Sequence, residues 1–166
     1  MKTAKKILIL GIGNYLMGDE GVGVHVACQM EKEIQSAGID ILDGGTGGFH
    51  LLEYFENHEQ VIIVDATLDG AEPGTIRLIK PRFANDFPPA MSTHDIGLKD
   101  LVCALQLLDK MPEIDLFVVS IASIQQQGIT LSSKIEVIVP VIIDQIKTLI
   151  GGHYKKEAGE MLLNIN

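Results

Sequence analysis

Five short apolar runs recur along the chain: Lys6–Leu10, Ile39–Leu42, Val61–Asp65, Thr75–Ile79 and Leu116–Ile121. They are rich in β-branched residues and largely unbroken by polar ones. A strand with one wet face would alternate, so these runs predict strands covered on both faces. Between them the apolar spacing changes to that of helices. Val22, Val26, Met30 and Ile34 fall on one face, as do Leu98, Leu101, Leu105 and Leu108. Ile135, Ile138, Val139, Ile142, Ile146 and Leu149 mark a last helix, which Pro140 either kinks or begins. A short helix is expected from His50 to Phe55.

The order β-α-β-α-β-β-α-β-α predicts an α/β fold, a three-layer α/β/α sandwich around a mostly parallel sheet of five strands. The segment "ATLDGAEPG" between the third and fourth strands is too short for a helical crossover. The fourth strand is therefore expected to run antiparallel at an edge. Gly151 reads as a helix stop. Residues 1–150 are taken as a single domain and 151–166 as a tail, flexible or held by a partner. Open α/β sheets bind ligands beyond the carboxyl ends of their strands. Attention therefore falls on the segments just after residues 10, 43, 65 and 122.

A length of 166 residues suits one domain with a sizeable core. The formal net charge of -9 argues against nucleic acid, which is bound by clustered Lys and Arg, and permits a cation. No apolar run approaches the roughly 20 residues of a membrane span. The opening "MKTAKKILIL" runs straight into a glycine loop with no small-residue cleavage site, so it reads as a strand and not a signal peptide. Cys28 and Cys103 stand apart, outside any CxxC pattern, on what read as apolar helix faces. A reducing, cytoplasmic setting fits.

The stretch "GIGNYLMGDEGVG", residues 11–23, has the look of a phosphate cradle. Gly11 and Gly13 begin a Rossmann fingerprint, but Leu16 stands where its third glycine belongs. Gly13 and Gly18 have P-loop spacing, but Asp19 and Glu20 replace the lysine and the hydroxyl. Two carboxylates at this mouth repel phosphate. Glu20 alone could be a first-turn helix carboxylate favoured by the helix dipole. Asp65, in "VIIVDAT", and His94, in "STHDIGL", each have an equally plain reading as a turn or cap residue; Ser92 and Asp95 have capping-box spacing. Together, Glu20, Asp65 and His94 lie on the loop side where ligands bind. Two carboxylates and an imidazole can hold a divalent metal while leaving positions open for water or substrate. Other hydrolytic signatures are missing: no G-x-S-x-G, no H-E-x-x-H, and in "HLLEY" Tyr54 replaces the second His of the inverted zinc motif begun by His50 and Glu53.

The segments "GIGNYLMGDEGVGVH", "ILDGGTGG", "VIIVDA", "PGTI" and "STHDIGLKDLV", in this order, resemble the endopeptidases that mature the large subunit of nickel-iron hydrogenases. The resemblance runs from Ile7 to about Ile150. It implies a five-stranded mixed sheet of the phosphorylase/hydrolase type, with the fourth strand antiparallel. It implies that Glu20, Asp65 and His94 match the metal-binding positions, and that Asp43 matches an aspartate linked to substrate handling; an Asx turn is the competing reading of Asp43. It also implies removal of a C-terminal extension from the large-subunit precursor once nickel is installed. The metal is then nickel, that of the substrate, with Zn or Cd able to substitute in vitro. The partner is the precursor, with neither nucleic acid nor membrane involved, and a monomer is expected. Two alternatives stay open: a general metal-dependent peptidase or amidohydrolase on the same fold, and a non-catalytic chaperone that only checks for nickel.

Overall fold

The computed structural model describes residues 5–88, 96–123 and 127–163. The strands are β1 (Ile7–Gly11), β2 (Ile39–Asp43), β3 (Gln60–Thr67), β4 (Ile76–Ile79) and β5 (Glu113–Ser120). The helices are α1 (Val22–Glu33), α2 (Leu52–Asn57), α3 (Ile96–Leu107), α4 (Ser133–Glu136) and α5 (Val139–Leu163). The strands form one sheet in the order β2-β1-β3-β5-β4. β4 alone is antiparallel, with Ile76 opposite Val119 on β5. The short connection after β3 dictated that direction.

The unbroken apolar runs have their expected cause. β1 and β3 lie inside the sheet, and every residue of both is buried. Alternate residues serve opposite layers. Ile7, Ile9, Ile62 and Val64 pack with Val22, Val26 and Met30 of α1 and with Ile142, Ile143 and Ile146 of α5. Leu8, Leu10, Val61 and Ile63 pack with Phe55 of α2 and with Leu98, Leu101 and Leu105 of α3. Each such side chain contributes about 1.5–3 kcal/mol on full burial.

One open local alternative is resolved and three expectations are corrected. Pro140 begins a helix: it is the second residue of α5, where its missing N–H is no loss, and the last helical pattern divides into α4 and α5. Gly151 does not stop α5, which continues to Leu163. Leu108 lies past the end of α3 and is exposed, so it is no part of that helix's buried face. Cys28 and Cys103 sit on exposed sides of α1 and α3, because both helices already cover the sheet with larger aliphatic groups.

Candidate active site

The chain leaves β1 at Gly11 and returns as α1 through a 3-10 turn, Gly18–Gly21. The glycines here serve backbone packing. A β-carbon on Gly11 would lie 2.1 Å from the Gly23 carbonyl oxygen, and one on Gly23 would lie 2.2 Å from that of Val64. Gly13 has a φ of +144°, and its β-carbon would lie 2.0 Å from the Glu20 carbonyl oxygen. The loop's N–H groups are engaged by protein carbonyls. Ile12 N donates to Val64 O (2.9 Å), Gly13 N to Gly45 O (2.7 Å) and Gly18 N to Gly128 O (2.8 Å). A phosphate cradle needs such groups free and facing the ligand. This loop instead holds the 3-10 turn against β3 and the carboxyl end of the sheet.

Three buried carboxylates show how the protein treats such a group. Asp115, fully buried, lies 3.2 Å from Lys80 Nζ and accepts a bond from Gln60 Nε2 (2.6 Å). Asp19 accepts bonds from Ser132 N and Ser132 Oγ, both at 2.7 Å. Glu20 is only 1% exposed, yet among the described residues neither carboxylate oxygen has a hydrogen-bond partner. A buried charge left unmet is costly. Glu20 is not in the first turn of α1 but in the 3-10 turn before that helix, which starts at Val22.

Asp65 is fully buried and lies within β3, two residues before its end, because β3 extends to Thr67. Its Oδ1 accepts the Ala66 N–H at 2.8 Å. The turn carrying Glu20 packs on this same strand. Asp43 ends β2 opposite Gly11 and is exposed. Its Oδ1 accepts the Gly45 N–H at 2.8 Å, so the Asx turn is present. His94, Ser92 and Asp95 lie outside the described residues. The described residue nearest His94 in sequence is Ile96, which opens α3. Gly97 in that first turn has its β-carbon position 2.8 Å from Gly48 Cα. The glycine-rich segment after Asp43 is thus sandwiched between the Gly13 loop and the start of α3. Among the described residues no three His, Cys, Asp or Glu are grouped as a metal-ligand set. The set read from the sequence needs His94 as its third member.

Two features were not read from the sequence. Asp19 is a structural tie to Ser132, which stands 113 residues away and carries no local signal. His25 stacks on Tyr15, with ring centroids 4.8 Å apart. Burial holds its pKa below the ordinary His value, against the upward pull of the Ile129 backbone, Asp19 and Glu136. Both features connect the glycine loop to residues 128–132.

Both the sequence and the fold are shared with proteins of known role. The family model for hydrogenase maturation proteases matches residues 24–149. The hydrogenase expression/formation protein HupD of Rhizobium leguminosarum bv. viciae is 32% identical over 145 residues, covering 85% of this chain and 72% of that protein. The hydrogenase 2 maturation protease of Escherichia coli (strain K12) is 31% identical over 144 residues, covering 85% of this chain and 88% of that protein. Among solved structures, the hydrogenase maturating endopeptidase HybD from E. coli superposes with a TM-score of 0.80 at 30% identity, covering 89% of this chain and 93% of that one. Fold and sequence agree: the chain belongs to the hydrogenase maturation protease family and is an endopeptidase, a hydrolase of peptide bonds.

Proposed function

We propose that this endopeptidase removes the C-terminal extension of a nickel-iron hydrogenase large-subunit precursor, and that it acts only after nickel has been installed. The observation that carries this reading is the buried Glu20 carboxylate, both of whose oxygens are without a hydrogen-bond partner among the described residues. Such a group suits a cation that arrives from outside. Asp65 stands on the adjoining strand, and His94 is the third group proposed from the family resemblance. Carboxylate and imidazole donors suit nickel, and also zinc or cadmium, so the donor set by itself does not select one ion. On this reading nickel is part of the substrate. Glu20, Asp65 and His94 dock against it and bring one peptide bond beside the site, and positioning of this kind contributes several kcal/mol to lowering a barrier. A carboxylate of the site, or the nickel, then assists attack of water on the peptide carbonyl. Asp43 caps the glycine turn, and its remaining oxygen is proposed to meet the substrate chain. The described residues contain no helix long and apolar enough to cross a membrane. Action in the cytoplasm, where the precursor would be met before export or assembly, is part of the same proposal.

The test is incubation of the purified precursor, nickel-loaded or nickel-free, followed by mass spectrometry of the large subunit. The loaded form should lose its extension and the nickel-free form should stay intact. Equal cleavage of both would remove the nickel requirement. An unchanged length in both would favour the nickel-checking chaperone.

A further inference from the structure

We infer that Asp19 is a positioning residue for Glu20, and that it works by tying the Glu20 turn to Ser132 at the start of α4. The inference rests on the role proposed for Glu20 above. Asp19 is buried at 3% exposure, and its two oxygens take the Ser132 N–H and the Ser132 hydroxyl, each at 2.7 Å. Charge-assisted bonds of this length are the strong ones. Ser132 occupies the N-cap position of α4, where a serine side chain ordinarily bonds to the helix's own N–H groups. It makes no such bond in this protein. Its hydroxyl serves Asp19 instead.

The tie is part of a larger seam. Gly18 N donates to Gly128 O (2.8 Å), and Gly128 N donates to Leu16 O (2.7 Å). Residues 16–19 are thereby stitched to residues 128–132. On the opposite side, the Glu20 carbonyl presses on Gly13 so closely that a β-carbon has no room. Among the described residues the Glu20 carboxylate has no hydrogen bond to aim it. Its direction is therefore set by the turn that carries it, and Asp19 is that turn's side-chain anchor. A carboxylate that must meet a cation held by another protein needs such an anchor, since a displacement of about 1 Å can lower a rate on the order of 10²-fold.

The test compares Asp19→Ala, Asp19→Asn and Ser132→Ala with wild type and Glu20→Gln. Cleavage of nickel-loaded precursor is measured alongside the melting temperature, well below the lowest melting point. Asparagine keeps both bonds: its oxygen accepts the Ser132 N–H, and its amide donates to the Ser132 hydroxyl. It removes only the charge. Asp19→Ala should lose about tenfold or more in kcat. Ser132→Ala should lose less in the same direction, and Asp19→Asn should stay within about twofold of wild type. Wild-type kcat in Asp19→Ala would overturn the inference, and so would an Asp19→Asn as impaired as Asp19→Ala, because charge and not anchoring would then matter. If Asp19→Ala does not fold, the other two variants decide: an unimpaired Ser132→Ala overturns the inference, and a slowed Ser132→Ala with an active Asp19→Asn supports it. Failure of the underlying reading is separate, since there wild type does not cleave or Glu20→Gln cleaves normally.

Discussion

Gly13 illustrates how tightly single residues define this site. Alanine there would bring its β-carbon within 2.0 Å of the Glu20 carbonyl oxygen, on a backbone with φ of +144°. Gly13→Ala is expected to destabilise the protein by about 1–3 kcal/mol, as overpacking does. It should lower cleavage of nickel-loaded precursor further than the folded fraction explains, because relief comes by shifting the Glu20 turn. Urea unfolding and the cleavage rate of the same preparation check both parts. At this scale the sequence was readable where chemistry was out of place. Asp19 and Glu20 stood where a cradle would have its lysine and hydroxyl, and that drew attention to Glu20 before Asp65 and His94 were considered with it. The partner of Asp19 was not readable, because the Ser132 bond crosses 113 residues. Asp43 remained ambiguous for a physical reason: a turn aspartate and a substrate-facing one have the same local sequence, and the bond to Gly45 N leaves its other oxygen available for a second role.

Among elements, the strands were legible because β1 and β3 are covered on both faces, which leaves unbroken apolar runs. The end of α5 was less so, since Gly151 weakens a helix without obliging it to stop. The loop between β1 and α1 offers its N–H groups to Val64, Gly45 and Gly128. It should therefore bind neither ATP nor NAD. Millimolar nucleotide should leave the melting temperature unchanged, and a rise abolished by a Gly13 substitution would revive a nucleotide site. The same loop contacts residues 128–132 through His25, whose pKa is held down by burial. Below the ordinary His value of about 6.5 the unfolded chain takes up a proton that the folded chain resists. The stability associated with neutral His25 is thus complete above that value and declines as pH falls toward the lower folded value. Denaturant midpoints from pH 7 to pH 5 should show this decline, with a flatter profile in His25→Gln. Parallel profiles would place the pH sensitivity elsewhere.

For the whole molecule, the sheet order brings the ends of β1, β2 and β3 side by side, with Gly11 opposite Asp43 and Val64. That juxtaposition gathers residues distant in sequence at one end of the sheet, as the strand–helix alternation implied. The protein buries a carboxylate there that has no hydrogen-bond partner among the described residues, while it pairs Asp115 and Asp19. On the proposed reading, such an arrangement trades stability for function. The most direct measurement is Glu20→Gln, followed by thermal melting and by cleavage of nickel-loaded precursor in parallel. Removing one unpartnered buried charge should leave the melting temperature equal or higher, while cleavage falls on the order of 10²-fold. Wild-type cleavage by Glu20→Gln would contradict the account, because the carboxylate would then have no part in meeting the metal.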